Sequence, residues 1–237
     1  MTEEELLARV SEVRRRLNEA TEGRYPAPKL IAVTKTHAPE DILQLQRAGI
    51  TDIGENHVQE IVAKREALAG KFSFHMIGTL QTNKVKYIMK DVCLIHSVDR
   101  ERLAEEISRR AAANGLRMPV LVQVSPVGEP QKGGVLPEDV RPLLRAVSRM
   151  EGIEVRGLMA VMPDLRDREA LDPLFAEMRT LFERLRGEAI PGVRMEELSM
   201  GMSGDYELAA RHGATMVRIG SAIMGQRTYG RQTEESR

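Results

Sequence analysis

Two hydrophobic periods alternate along the chain between residues 30 and 224. Short runs of apolar and β-branched residues, as long as typical strands, are separated by stretches in which apolar residues recur three and four positions apart, as in an amphipathic helix. The runs with strand character are 30–34, 50–54, 72–77, 92–98, 119–124, 155–162, 197–200 and 215–224. The helical stretches between them are 40–48, 58–68, 83–89, 100–113, 138–150, 168–186 and 206–211.

This β-α repeat predicts an α/β protein that forms a single (β/α)8 barrel of the TIM type. The strand runs are apolar throughout, as is typical of parallel strands covered on both faces, and no change of composition marks a linker. An open doubly wound sheet is the alternative, but eight strands with seven intervening helices favour the closed barrel. We expect one domain over residues 1–230 and a frayed tail over 231–237.

An extra helix is predicted before the first strand. Thr2 is a suitable N-cap and three glutamates follow it, after which Leu6, Leu7, Val10, Val13 and Leu17 recur at helical spacing. Prolines at positions 26 and 28 cannot continue a helix, so this element should end before the barrel begins.

Composition limits the possible classes of function. The 237 residues contain 35 Lys and Arg against 35 Asp and Glu, so no overall charge would attract nucleic acid or an anionic membrane. The start of the chain is charged and no apolar run approaches the roughly 18 residues that span a bilayer, which predicts a cytoplasmic protein. The lone cysteine, Cys93, excludes an internal disulfide and a Cys-rich metal site, and its apolar neighbours predict a buried position.

The active site of such a barrel lies at the C-terminal ends of its strands, which makes Lys35 and Asn56 candidates. Lys35 follows the first strand directly. It could be an ordinary solvated lysine. Alternatively, apolar walls could disfavour its ammonium form, and the neutral amine could then add to an aldehyde.

The loops after strands seven and eight contain Ser203, Gly220 and Ser221, and these two loops form the recurrent phosphate site of TIM barrels. Their backbone N–H groups and hydroxyls suit a phosphate, although the glycines could simply make tight turns. Arg218 lies within the apolar strand eight and therefore needs an acceptor, which could be a carboxylate, a carbonyl or a heteroaromatic nitrogen.

His75, near the end of strand three, does not have the partners of a metal site or a catalytic triad. No second histidine lies at ligand spacing, and no Ser-His-Asp set is apparent. A polar role in the core or behind the site is favoured, and no metal is expected.

Several motifs, in this order, resemble the pyridoxal 5'-phosphate (PLP) homeostasis protein family, also called the YggS/PROSC family. They extend from about residue 30 to residue 227. The motifs are AVTKT at 32–36, GENHVQE at 54–60, HMIGTLQTNK at 75–84, IHSVD at 95–99, KG at 132–133, GLMA at 157–160, SMGMSGD at 199–205 and VRIGSAIMG at 217–225.

The resemblance implies a barrel like the N-terminal domain of alanine racemase (PLP fold type III), with PLP bound as a Schiff base on Lys35. It places Arg218 beside the pyridine nitrogen and the phosphate among Ser203, Gly220 and Ser221. Asn56 and His75 are carried over as residues that line the site. Relatives often carry a second lysine shortly after the first, where this chain has Thr36-His37-Ala38, so any role of that lysine in cofactor transfer is in doubt here.

The resemblance leaves a choice between a carrier and an enzyme. A cation beside the ring nitrogen opposes its protonation and makes the ring a weaker electron sink. Racemases of related fold use a second base, a tyrosine from another domain, and none of the four tyrosines here is an obvious substitute. We expect a non-catalytic PLP-binding protein, a monomer or weak dimer, that buffers the cofactor or delivers it to apo-enzymes. The alternatives are an amino-acid racemase without its second domain and a phosphate-binding barrel without PLP.

Overall fold

The computed structural model describes residues 1–165 and 167–225. Eight parallel strands form a closed barrel in which each strand pairs with the next and β8 pairs with β1. The single (β/α)8 barrel expected from the sequence is therefore confirmed. The strands are β1 Lys29–Val33, β2 Asp52–Glu55, β3 Ser73–Met76, β4 Val92–Val98, β5 Met118–Val124, β6 Ile153–Ala160, β7 Val193–Ser199 and β8 Met216–Ile219.

Helices cover the outside of the barrel. They are α1 Glu3–Ala20, α2 Pro39–Leu43, α3 Val58–Leu68, α4 Glu101–Ala113, α5 Val140–Val147, α6 Asp172–Gly187, α7 Tyr206–Arg211 and α8 Ser221–Met224. The connection between β3 and β4 is a 3-10 helix, Thr82–Tyr87, where the sequence predicts an α-helix. Within the described ranges, no helix is both long and apolar enough to cross a membrane.

The predicted N-terminal helix is present as α1. Thr2 and Glu5 form a reciprocal capping box, in which each side chain accepts from the other residue's backbone N–H. Of the five apolar residues predicted at helical spacing, Leu6, Val10, Val13 and Leu17 are buried, whereas Leu7 is exposed. The buried face packs against α7 and α8, so α1 covers the seam where the barrel closes.

Two expectations from the hydrophobic pattern are corrected. The last strand run was predicted to extend to residue 224, but β8 ends at Ile219 and the chain turns at Gly220 into the short helix α8. β8 is buried throughout and Ile223 and Met224 of α8 are buried as well, so the apolar residues of the two elements merge into one run. Cys93, expected in the core, is exposed at the start of β4, where its thiol donates to the Phe74 carbonyl.

Strand register decides which residues enter the barrel. Ile31 of β1 pairs with Arg218 of β8, and Gly54 of β2 pairs with His75 of β3. A small apolar cluster, separate from the main core, contains Ile31, Leu94, Leu121, Met159 and Met216. Buried polar side chains accompany it, among them His75, His96, Ser199 and Arg218. The interior of the barrel is therefore partly polar. A barrel interior filled only for packing would not need these polar side chains.

Candidate functional site

Two adjoining cavities open at the C-terminal end of the barrel, and Val33, Lys35, Met202 and Arg218 line both of them. The first has a volume of about 380 Å³ and is further lined by His37, Ser203, Gly204, Gly220, Ser221 and Gly225. The second has a volume of about 350 Å³ and is further lined by Asn56, His57, Ile77, Gly78, Thr79, Gln123, Lys132 and Val161. Lys35 and Arg218 thus lie on the wall between two halves of one site.

The backbone around Lys35 is held in an unusual conformation. Thr36 has a φ of 69°, in the left-handed region that β-branched residues rarely adopt. Its N–H donates to Glu60 Oε1 at 2.7 Å, and its hydroxyl donates to the Lys35 carbonyl at 2.6 Å. Such strain persists only where the surroundings enforce it, and it concentrates at functional sites. The turn therefore re-aims the chain immediately after Lys35.

A buried charge cluster holds the other side of Lys35. Lys64 of α3 donates to the Thr34 carbonyl at 2.8 Å and to Glu55 Oε1 at 2.7 Å. The Thr34 hydroxyl donates to the same Glu55 oxygen at 2.7 Å. Burial raises the pKa of Glu55 to about 6, and the Lys64 ammonium opposes that rise. The residues before and after Lys35 are thus both anchored by charged side chains from β2 and α3.

Arg218 is a buried cation without a carboxylate within ion-pair distance among the described residues. One of its terminal nitrogens donates to the Ser199 hydroxyl at 2.6 Å, and the other donates to the Ala160 carbonyl at 2.8 Å. Burial lowers the pKa of Arg218 to about 10, partly offset by the negative charge of Asp205. The guanidinium therefore stays protonated at neutral pH. Only two of its five N–H groups are used in these two bonds.

The loops after β7 and β8 meet at Ser203. Its hydroxyl accepts from the Gly220 N–H at 3.2 Å and from the Ala222 N–H at 3.3 Å. Asp205 accepts from the Met202 N–H at 2.5 Å, which fixes the loop, and burial raises the pKa of that carboxyl. One hydroxyl and the two backbone N–H groups from which it accepts therefore converge beside the first cavity, and hydroxyls and backbone N–H groups are the kinds of donor that phosphate sites use.

The structure brings six of the seven predicted site residues to the cavity walls, namely Lys35, Asn56, Ser203, Arg218, Gly220 and Ser221. His75 differs from what the resemblance implies and agrees with the core position that the residue pattern favoured. The β3 register turns it into the barrel interior, where it is buried and contacts His96 and Asp52 instead of lining a cavity.

Other lining residues were not singled out from the sequence. Gln123 is the second-last residue of β5 and donates to the Lys132 carbonyl at 2.7 Å, while the Lys132 ammonium donates to the Met162 carbonyl at 3.0 Å. Lys132 belongs to a short motif that the resemblance includes, whereas nothing in the sequence around Gln123 marks it. Tyr25, Tyr87 and Tyr206, the tyrosines that the structure describes, do not line either cavity.

Comparison with known proteins gives consistent matches. The family model for the alanine racemase N-terminal domain matches residues 7–228. The pyridoxal phosphate homeostasis protein of Aquifex aeolicus is 43% identical over 225 residues, which are 93% of this chain and 98% of that protein. The corresponding protein of Pseudomonas aeruginosa is 38% identical over 225 residues, 93% of this chain and 95% of its own length.

The structure of PipY from Synechococcus elongatus PCC7942 has also been solved, both without PLP and with PLP bound. The PLP-free structure superposes with a TM-score of 0.84 at 35% identity and covers 93% of this chain and 100% of PipY. The PLP-bound structure superposes with a TM-score of 0.78 at 35% identity, covering 90% of this chain and 100% of PipY.

Proposed function

The chain belongs to the pyridoxal phosphate homeostasis proteins, within the family defined by the alanine racemase N-terminal domain, and from this we propose that it is a PLP carrier. In this proposal Lys35 holds PLP covalently through its amine, and the protein buffers the cofactor or delivers it to apo-enzymes in the cytoplasm. Residues 1–230 would act as one PLP-binding domain.

The observation that carries the proposal is that one site presents a separate partner for each reactive part of PLP. Lys35 supplies an amine for the aldehyde, and Arg218 supplies a buried donor suited to the pyridine nitrogen. The Ser203 hydroxyl, with the backbone N–H groups beside it, suits the phosphate, and Ser221 and Gly220 line the same cavity. Asn56 lines the neighbouring cavity. The residues present therefore fit the cofactor.

The charge of the site favours storage over catalysis. PLP supplies an electron-withdrawing ring, whose strength as an electron sink depends on protonation of its nitrogen. Arg218 is a permanent cation there, so it donates a hydrogen bond and opposes protonation. A racemase also needs a second base opposite its lysine, and among the described residues no tyrosine lines the site. These features support binding without a reaction of its own.

Borohydride reduction followed by mass spectrometry tests the binding proposal. Reduction fixes a covalently held PLP as a pyridoxyl phosphate group, which we expect on the peptide that contains Lys35. Lys35→Ala should remove the label. Lys132→Met, a change to the other lysine on the cavity wall, should retain it. A label on any other lysine in the wild type would refute the assignment of Lys35.

Two assays separate carrier from enzyme. The carrier proposal expects that the loaded protein activates an apo-enzyme faster than exchange through free PLP allows. It also expects no exchange of an amino-acid α-proton for solvent deuterium. Lys35-dependent exchange would favour the racemase alternative, whereas activation no faster than free exchange would leave buffering as the function.

A further inference from the structure

A continuous chain of side-chain hydrogen bonds crosses the inside of the barrel. At the N-terminal end of β2, Asp52 Oδ1 lies 2.9 Å from His75 Nε2. His75 Nδ1 lies 3.0 Å from His96 Nε2, and His96 Nδ1 lies 3.0 Å from the Ser199 hydroxyl. Ser199 then accepts from Arg218 at 2.6 Å. Four strands besides β8 thus contribute one residue each to a path between the two ends of the barrel.

The chemistry of the two ends gives this chain a single direction. A guanidinium can only donate and a carboxylate can only accept. Ser199 accepts from Arg218, so its own hydrogen is available for His96 Nδ1. His96 then carries its hydrogen on Nε2 and donates to His75, whose hydrogen on Nε2 is donated to Asp52. Every donor along the chain therefore points away from the cation and toward the anion.

The middle of the hydrogen-bond chain is fully buried, so a break in it would leave polar atoms without a partner. His96 and Ser199 are both 0% exposed, and an unpaired polar group at such a position is strongly unfavourable. Burial, together with the Arg218 cation, lowers the pKa of His96 well below its usual value, which suits a neutral ring that accepts on one side and donates on the other. Asp52 is an anion because the hydrogen bond from His75 lowers its pKa to about 2. Among the described residues no carboxylate bonds to Arg218 directly, and Asp205 acts on it only through its charge.

We propose that Asp52, His75, His96 and Ser199 are positioning residues that orient Arg218 toward the cofactor site. Their path begins at Asp52, at the opposite end of the barrel, and reaches Arg218 through Ser199. The inference rests on the proposed function, since the group oriented by the chain is the expected partner of the PLP ring. It assigns a role to Asp52, which lies outside both cavities, and to His75, which lies behind them. Asp52 acts through the chain and does not touch the ligand.

A double-mutant cycle on PLP affinity tests this coupling. Asp52→Asn keeps an acceptor for His75 but removes the charge, and we expect PLP affinity to fall about threefold to tenfold. Ser199→Ala breaks the chain beside Arg218, and we expect a loss of at least about tenfold. Once the chain is broken, Asp52 no longer reaches Arg218, so the double variant should bind within about twofold of Ser199→Ala alone. Multiplication of the two losses would show that the sites act independently and would overturn the inference.

Two control variants test whether an effect of Asp52→Asn passes through the hydrogen-bond chain. Lys29 also lies 3.6 Å from Asp52 Oδ1, but its side chain is half exposed and outside the chain. Lys29→Met should therefore leave PLP affinity unchanged, and an effect equal to that of Asp52→Asn would assign the result to this surface pair. Ser203→Ala changes the same cavity away from the chain, so its loss should multiply with that of Asp52→Asn.

Nuclear magnetic resonance tests the chain without PLP. In the wild-type protein, ¹⁵N signals should place the hydrogen of both His75 and His96 on Nε2. A His75 ring protonated at both nitrogens would reverse the chain and overturn the inference. The Arg218 guanidinium signal should also shift in Asp52→Asn but not in Lys29→Met. An unchanged signal refutes the coupling whether or not PLP binds, whereas a wild type that binds no PLP refutes only the proposed function.

Discussion

Replacement of Lys64 by methionine tests the buried charge cluster behind Lys35. The ammonium lies 2.7 Å from Glu55 Oε1 and 2.8 Å from the Thr34 carbonyl, and the two charged side chains are only 7% and 0% exposed. Methionine fills similar volume but leaves the carboxylate without its partner. Removal of one member of such a pair typically costs about 3–5 kcal/mol in the free energy of unfolding.

Protonation sets an upper limit on this loss. Glu55 can escape the unpaired state by binding a proton, which costs about 2 kcal/mol at a pH of about 7.5 for a carboxyl whose folded-state pKa is about 6. We therefore expect Lys64→Met to lose about 2 kcal/mol at that pH. For a chain of this size each kcal/mol lowers the Tm by about 2 °C, so the expected decrease is about 4 °C. Urea unfolding of the apo-protein and a thermal melt measure the two quantities.

The reasoning also predicts a pH dependence and a rescue. The loss should fall well below about 1 kcal/mol near pH 5, because Glu55 is already largely protonated in the folded wild type there. Glu55→Gln combined with Lys64→Met should recover at least about half of the loss, because the amide carries no charge. Lys71→Met, at an exposed position after α3, is the matched control and should change stability by less than about 0.5 kcal/mol. A loss below about 1 kcal/mol at neutral pH, or one independent of pH, would refute an ionised Glu55.

Three further predictions follow from single contacts. The folded-state pKa of Glu55, about 6 against 4.5, makes the folded protein bind the proton more tightly, so stability should fall by about 2 kcal/mol as pH rises from about 4.5 to 6. Urea unfolding of Glu55→Gln should lack that decrease. Ser203→Ala should weaken PLP binding about tenfold in a fluorescence titration with little change in apo-protein Tm. A Cβ at Gly78 would lie 2.2 Å from the Asn56 carbonyl oxygen, so Gly78→Ala should lower both Tm and PLP affinity, whereas Gly204→Ala, where a Cβ meets nothing within 4 Å, should change Tm little.

The buried charge cluster and the hydrogen-bond chain support different residues of the site. Glu55 and Lys64 hold the backbone at Lys35, while the chain that ends at Ser199 holds the Arg218 guanidinium. Each of the two groups proposed to face the cofactor is thus fixed by buried polar residues that do not line the cavities themselves. Because a binding site loses affinity when its contact groups are free to move, both sets should affect PLP retention as well as stability.

The sequence by itself determined the architecture and the position of the site. Hydrophobic periodicity is a local property, and it identified eight strands, the helix before them and the absence of a linker. Because all strands in such a barrel point the same way, residues that follow different strands necessarily gather at one end. That rule sufficed to bring Lys35, Ser203 and Arg218 together from separate parts of the chain.

Only the tertiary structure decided which polar residues support the site. Parallel strands covered on both faces are apolar on both sides, so their sequence does not show which alternate residues enter the barrel. The contact between His96 and Ser199 joins residues 103 positions apart and depends on the register of every strand between them. The same limit applies to His75, which motif resemblance placed on the cavity wall and strand register places inside the barrel. The left-handed turn at Thr36 is likewise enforced by a distant carboxylate, Glu60, which no local sequence signal reveals.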